Sequence, residues 1–184
     1  MRIGGIIRIV SATSSAPIVS AVLVIMLLAV PNPLLAREKH DLIGSYRDWD
    51  AFVVASESGE KICYAISIPK EINPKNVNRG KIYVTVSHKP HLRIRDEVNI
   101  IVGYPFRAGA TAIATIGSTR HTFFTEGDGA WMPTPREDAA VVESMRRGSA
   151  MVVRGTSSRG TKTRDRYSLM GFTAAYNAMS KACE

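Results

Sequence analysis

Short β-type runs separated by turn signals recur through the sequence between residues 51 and 169, and they limit the chain to a strand-dominated fold. The runs are 51–56, 61–68, 81–87, 97–102, 111–116, 119–125, 130–132, 150–155 and 164–169. Gly117-Ser118 is the whole interval between two of these runs, which is the spacing of a tight hairpin. The residues before Ala51 read as a polar lead-in, 69–80 as a loop, and 88–91 as a strand break because of Pro90.

Two segments carry helix signals instead. Thr134-Pro135-Arg136-Glu137 predicts an N-cap, a proline at the first helical position and a capping box. Ala139, Val142 and Met145 then form an apolar stripe, and Gly148 predicts a left-handed stop. The second helix is predicted from about Phe172 to Cys183, with apolar residues at helical spacing.

Since strands outnumber helices, we predict a mainly β fold. The expected architecture is an antiparallel β-sandwich or a partly open barrel with two short flanking helices. Residues 37–184 are long enough for one domain with its own core.

Residues 1–36 predict an exported protein. Arg2 and Arg8 precede an apolar run from Ile18 to Val30, and a cleavage site is expected after Ala36. The apolar run is shorter than the roughly 20 residues that span a bilayer, which favours a cleaved signal peptide over a retained membrane anchor. Export predicts a periplasmic or outer-envelope location, and the alternative predicts an inner-membrane anchor.

The two cysteines, Cys63 and Cys183, both follow the predicted signal. An even count in an oxidising compartment favours a disulfide, and the pair lacks the spacing of a redox-active motif. We therefore predict a structural Cys63–Cys183 bridge.

A basic hairpin is the strongest candidate for an interaction surface. The formal net charge of +8 falls to +6 when Arg2 and Arg8 are removed with the signal. Around the turn between the last two runs lie five basic residues: Arg154, Arg159, Lys162, Arg164 and Arg166. Such a hairpin suits phosphates of anionic lipid or lipopolysaccharide, and the alternative is a solvated hairpin without a ligand. The stretch carries no interleaved aromatics, which disfavours nucleic acid.

No motif predicts catalysis, a metal or a cofactor. His88 and His91 are close in sequence but flank Pro90 in a predicted turn, so a shared metal is disfavoured. An enzyme would need convergent carboxylates, for which the pairs Asp48 with Asp50 and Glu126 with Asp128 are the candidates. Aromatic residues are expected in the core, with sugar stacking at Trp49 or Trp131 as the alternative.

Several stretches together resemble the invasion-associated locus B family, exported proteins of Gram-negative alphaproteobacteria. They are Trp49, 61–65, 69–70, 103–106, 123–124, 127–131, 145–148, 155–161 and 165–172. They run through nearly all of the mature chain in order. The resemblance implies an envelope protein with a β-rich fold, and the family name implies a link to host-cell invasion. It implies no catalytic residue.

The sequence thus predicts a non-enzymatic periplasmic module that binds an envelope protein or an anionic lipid or lipopolysaccharide surface. The alternatives are a periplasmic enzyme acting on cell-wall or glycan material and a membrane-anchored accessory subunit. The pattern does not fix an oligomeric state.

Overall fold

A computed structural model of the chain describes residues 39–56 and 58–184, so the predicted signal segment 1–36 lies outside the described residues. The described part forms one sheet of eleven strands and two α-helices. The strands are β1 Lys39–Tyr46, β2 Trp49–Ala55, β3 Lys61–Ser67, β4 Glu71–Asn73, β5 Tyr83–Lys89, β6 Ile94–Ile101, β7 Thr111–Ile116, β8 Thr119–Glu126, β9 Gly129–Trp131, β10 Ala150–Thr156 and β11 Lys162–Ser168. The helices are α1 Pro135–Arg147 and α2 Phe172–Ala182.

The strands are ordered β1-β2-β3-β5-β6-β9-β8-β7-β10-β11-β4, and every neighbouring pair is antiparallel. The sheet is open, with β1 and β4 at its edges. Strands near its two edges approach each other at one point, where the indole Nε1 of Trp49 on β2 donates to the Ser168 carbonyl of β11 at 2.9 Å. The mainly β, partly open architecture predicted from sequence is confirmed.

Strict alternation of side chains builds the core. On β3, for example, Cys63, Ala65 and Ser67 are buried while the residues between them are half-exposed. The inward residues of both halves of the sheet join the buried faces of the helices in a single apolar cluster. One core of this kind explains why the segment folds as a unit.

Helix α1 begins as the sequence predicts and ends differently. Thr134 Oγ1 accepts from the Glu137 amide at 3.3 Å, as expected of an N-cap, but the Glu137 carboxylate accepts from the Thr134 hydroxyl at 2.7 Å rather than from its backbone amide, so the contact is not a full capping box. Val141, rather than Ala139, joins Val142 and Met145 on the buried stripe.

The predicted left-handed stop at Gly148 is wrong, since its φ of −87° and ψ of 163° are extended. Glycine fits there because a Cβ would lie 2.5 Å from Ile116 Cγ2.

Helix α2 is bonded covalently to the sheet. Cys183 follows its last turn and forms a disulfide with Cys63 of β3, with 5.9 Å between the Cα atoms. The predicted bridge is confirmed. At the other end of α2, Gly171 has a φ of +95°, and a Cβ there would lie 1.8 Å from the Tyr46 carbonyl oxygen.

Three local predictions are corrected. The polar lead-in contains β1, an edge strand with a bulge between Leu42 and Gly44, and the loop 69–80 contains the short edge strand β4. Strand β5 continues through Lys89, and the break predicted at 88–91 begins only at the short 3-10 helix Pro90–Leu92. Edge strands pack against one neighbour only, so their sequences need little apolar alternation. No helix among the described residues is long and apolar enough to cross a bilayer.

Candidate functional site

Four of the five predicted basic residues share the outer face of one hairpin. Arg154 on β10 lies opposite Arg164 on β11, with Lys162 and Arg166 two residues to either side. The residues between them, such as Asp165, point into the core. Because strand side chains alternate with a period of two, the four cations must project from the same side of the sheet.

The register adds one cation and one carboxylate to this surface. Arg166 on β11, Val152 on β10, Thr115 on β7 and Arg120 on β8 follow one another in register across four strands. Arg120 therefore projects from the same side of the sheet as Arg166. We call Arg120, Arg154, Lys162, Arg164 and Arg166 the basic face. On β4, the neighbour of β11 at the sheet edge, the Glu71 carboxylate lies 3.7 Å from Arg166 and 4.0 Å from Arg164.

The cations of the basic face therefore differ in availability. Arg120, Arg154 and Lys162 are exposed and form no ion pair with any described residue, whereas Arg164 and Arg166 share Glu71. A surface carboxylate with two guanidinium neighbours neutralises part of their charge only. The face keeps a net positive charge.

Arg159 lies apart, at the tip of the hairpin, where it lines a cleft of about 480 Å³. Three loops form this cleft, and its lining residues are Asn76, Val77, Asn78, Arg79, Gly103, Tyr104, Pro105, Ser157, Ser158, Arg159, Thr161 and Thr163. The volume falls within the range of small-molecule sites, which is roughly 300–1,000 Å³.

A buried ion pair holds Arg79, one of the residues that line the cleft. Arg79 donates to both carboxylate oxygens of Asp165, at 2.8 and 2.5 Å, and its Nε and Nη2 donate to the Val102 carbonyl at 3.0 and 2.8 Å. Both side chains are almost fully buried, with 4% and 1% exposed. Burial alone lowers the pKa of Arg79, but the hydrogen bonds and charge of Asp165 raise it by more, so Arg79 stays charged. The pair holds the loop of Arg79 against the sheet.

A second buried contact lies beside the pair. The hydroxyls of Tyr104 and Thr163 are hydrogen bonded at 2.6 Å, and the Arg79 guanidinium stands 5.1 Å from the centre of the Tyr104 ring. Burial raises the pKa of Tyr104. Gly155 leaves room for this ring, because a Cβ there would lie 2.7 Å from the Tyr104 hydroxyl. Tyr104, Thr163 and Arg79 are therefore packed and hydrogen bonded, and the exposed lining residues include Arg159 and the two asparagines.

Sequence reasoning missed the Arg79–Asp165 pair, although half of its signal was available. Asp165 stands between Thr163 and Tyr167 on the inward face of a predicted strand. An ionised carboxylate that is buried needs a cation or hydrogen-bond donors. The partner of Asp165 could not be identified from sequence, because Arg79 lies in a loop 86 residues away.

The other sequence candidates are dispersed. His88 is buried, with Nε2 hydrogen bonded to the Ser180 hydroxyl at 2.9 Å, whereas His91 is exposed in the 3-10 helix. Burial lowers the pKa of His88. No group of three or more potential metal ligands occurs among residues 39–56 and 58–184 as described.

The candidate carboxylates do not line the cleft. Asp48 is ion-paired with Lys70 at 2.5 Å, and its hydrogen bond to Lys70 lowers its pKa. Glu126 and Asp128 flank the β8–β9 turn and are exposed.

The proposed sugar-stacking residues differ in position. Trp49 is buried at 1% exposure, and Trp131 lies half-exposed on the outer face of β9, stacked on Phe124.

A family comparison covers both the basic face and the cleft. The family model described as "Invasion associated locus B (IalB) protein" matches residues 49–180, which is most of the chain. No curated protein and no solved structure matches the chain significantly. Two stretches that carry the sequence resemblance, 103–106 and 155–161, supply much of the cleft lining. The chain belongs to the invasion-associated locus B family.

Proposed function

We propose that this protein is an exported, non-enzymatic binding module of the bacterial envelope. It acts in the periplasm or on the outer envelope and contacts anionic lipid or lipopolysaccharide through the basic face. The observation that carries the proposal is the common orientation of Arg120, Arg154, Lys162, Arg164 and Arg166, with Glu71 as their partly neutralising neighbour. The family name refers to invasion, so contact with a host-cell surface belongs to the same proposal.

The shape of the basic face suits a planar partner. Its cations project from one side of strands β8, β10 and β11, so several of them can contact an extended anionic surface together. Each lysine or arginine near such a surface contributes about 1 kcal/mol of attraction. This attraction weakens with salt, since the Debye length is only about 8 Å at physiological ionic strength.

The cleft at the tip of the hairpin lies apart from the basic face and offers a recess of its own. Arg159 at its rim supplies one exposed cation, and the side-chain amides of Asn76 and Asn78 add hydrogen-bond donors. A phosphate-bearing headgroup fits this chemistry, because guanidinium and amide groups both donate to phosphate oxygens.

The test of the basic face is a charge-neutralising triple variant, Arg120→Gln, Arg154→Gln and Lys162→Gln. Its matched control is Arg95→Gln, Arg136→Gln and Lys181→Gln, which removes the same charge from exposed positions outside the face. Co-sedimentation with phosphatidylglycerol–phosphatidylcholine vesicles at low salt measures binding. We expect the face variant to lose about 100-fold in partitioning, since three contacts of about 1 kcal/mol are removed.

Equal loss in the two variants would mean that net charge alone drives adsorption, and no loss in the face variant would refute the proposal. The same assay on lipopolysaccharide micelles distinguishes the two sources of phosphate. The intact mass of the protein isolated from its own envelope tests export. A chain beginning at Arg37 supports the proposal, and a chain beginning at Met1 supports a retained anchor.

A further inference from the structure

A groove on the other half of the sheet differs in character from the basic face. It has a volume of about 280 Å³ and runs over strands β3, β5, β6 and β9. Its lining residues are Ile62, Tyr64, Tyr83, Thr85, Ser87, Lys89, Glu97, Asn99 and Trp131. We infer that this groove binds a neutral glycan, by stacking sugar rings on its aromatic side chains.

Aromatic side chains form the two walls of the groove. Tyr64 stands on β3, and Trp131 on β9 is backed by Phe124, with 5.9 Å between the ring centres. Strands β5 and β6 lie between these walls. Three inter-strand spacings of about 4.8 Å place the walls roughly 14 Å apart. That span admits more than one sugar ring.

The floor offers hydrogen-bonding side chains at the right places. Thr85 and Asn99 are direct neighbours in register, and Asn99 is in turn the neighbour of Trp131. Asn99 donates to the Ala130 carbonyl at 3.4 Å, which leaves its amide oxygen as an acceptor. The hydroxyls of Thr85 and Tyr83 make no hydrogen bond to another described residue. Aromatic walls over a floor of hydroxyl and amide groups match the apolar ring faces and the equatorial hydroxyls of sugars.

Charge and backbone pairing select among possible occupants. The Lys89 ammonium is hydrogen bonded to the Glu97 carboxylate, which also accepts from the Ser87 hydroxyl at 3.2 Å. The charges of Lys89 and Glu97 therefore neutralise each other, which disfavours an anionic ligand. The floor strands β5 and β6 are paired on both sides, so no free strand edge is available for an extended peptide.

The two tryptophans make this inference simple to test. Trp49 is buried and Trp131 lines the groove, so a ligand-dependent change in tryptophan emission reports on Trp131. The full-length protein is titrated with chitotetraose, cellotetraose and maltotetraose, and calorimetry supplies a second readout. We expect a saturable emission change with at least one of these probes. Loss of one stacked ring or one floor contact should weaken binding about tenfold in Trp131→Ala and in Asn99→Ala.

Asn177→Ala, at an exposed position of α2 outside both the groove and the cleft, is the matched control for Asn99→Ala, and we expect it to bind like the parent chain. Trp131→Ala also removes packing over Gly129, so Asn99→Ala keeps the test valid if the tryptophan variant fails to fold. The inference is overturned if no probe binds at millimolar concentration, or if Asn177→Ala loses binding while Asn99→Ala does not. Binding of decaproline with no response to any sugar would assign the groove to peptides and also overturn it. Vesicle binding does not depend on this groove, so the two proposals fail separately.

Discussion

The buried pair of Arg79 and Asp165 provides the sharpest test of how the cleft is held together. Replacing Asp165 by Asn keeps the shape of the side chain and removes its charge. Arg79 is then left buried at 4% exposure with two hydrogen bonds to a carbonyl and no counter-ion. Breaking a buried pair in this way costs about 3–5 kcal/mol of unfolding free energy.

For a domain of this size, 1 kcal/mol corresponds to about 2–4 °C in Tm, so we expect a fall of roughly 10 °C. Urea unfolding followed by circular dichroism gives the free energy. Asp128→Asn, which alters an exposed carboxylate in the β8–β9 turn, is the control and should change stability by less than about 0.5 kcal/mol. A double-mutant cycle with Arg79→Gln then isolates the coupling between the two side chains. A loss below about 1 kcal/mol in Asp165→Asn, or no measurable coupling, would refute the assignment of the pair as the anchor of the cleft.

Three further predictions concern stability. Reduction of the Cys63–Cys183 bond, which closes a span of 120 residues, should lower the unfolding free energy by up to about 5 kcal/mol. Two titratable thiols in the untreated native protein would contradict the presence of the bond. Burial raises the pKa of Asp138 to about 6, so the unfolding free energy of the wild type should fall by up to about 3 kcal/mol as pH rises from 4 to 7. That of Asp138→Asn should not show this fall. Equal pH profiles of the two proteins in urea unfolding would contradict the prediction. Gly171→Ala should destabilise the fold by at least about 2 kcal/mol, because the new Cβ would clash with a β1 carbonyl. Gly109→Ala is the control: its Cβ would enter open space at a φ of +70°, so only the cost of the left-handed backbone applies. Equal thermal shifts in the two variants would show that the clash is relieved.

The sign of the Asp138 effect follows from burial, which raises its pKa by more than the hydrogen bond from the Val98 amide, at 2.9 Å, lowers it. A carboxyl with a raised pKa binds its proton more tightly in the folded state than in the unfolded state. Its stabilising contribution is therefore complete below the unfolded pKa of 3.8 and is lost as pH rises towards 6.

Local signals account for the parts of the fold that were predictable from sequence. The hairpin at Gly117 and the start of α1 at Thr134 depend on a few neighbouring residues, and both occur where the pattern places them. The disulfide was predictable because two cysteines allow only one intramolecular pairing.

The arrangement of segments that are distant in sequence could not be predicted in the same way. The edge strands β1 and β4 form by pairing with neighbours that the sequence does not specify. The cleft combines loops near residues 77, 104 and 159, and the groove combines four strands. Alternation places Arg154 and Arg164 on outward faces, but only the strand register shows that they lie opposite each other and that Arg120 joins them.

The two edges of the open sheet bear on self-association. An exposed edge with unpaired backbone groups is a template for strand addition between copies. The bulge between Leu42 and Gly44 breaks the regular spacing of such groups along β1. At the opposite edge, β4 is only three residues long and is followed by Pro74, which has no amide hydrogen to donate. Within the described part of the chain, neither edge offers a long regular ladder to a second copy, and this disfavours edge-to-edge polymerisation.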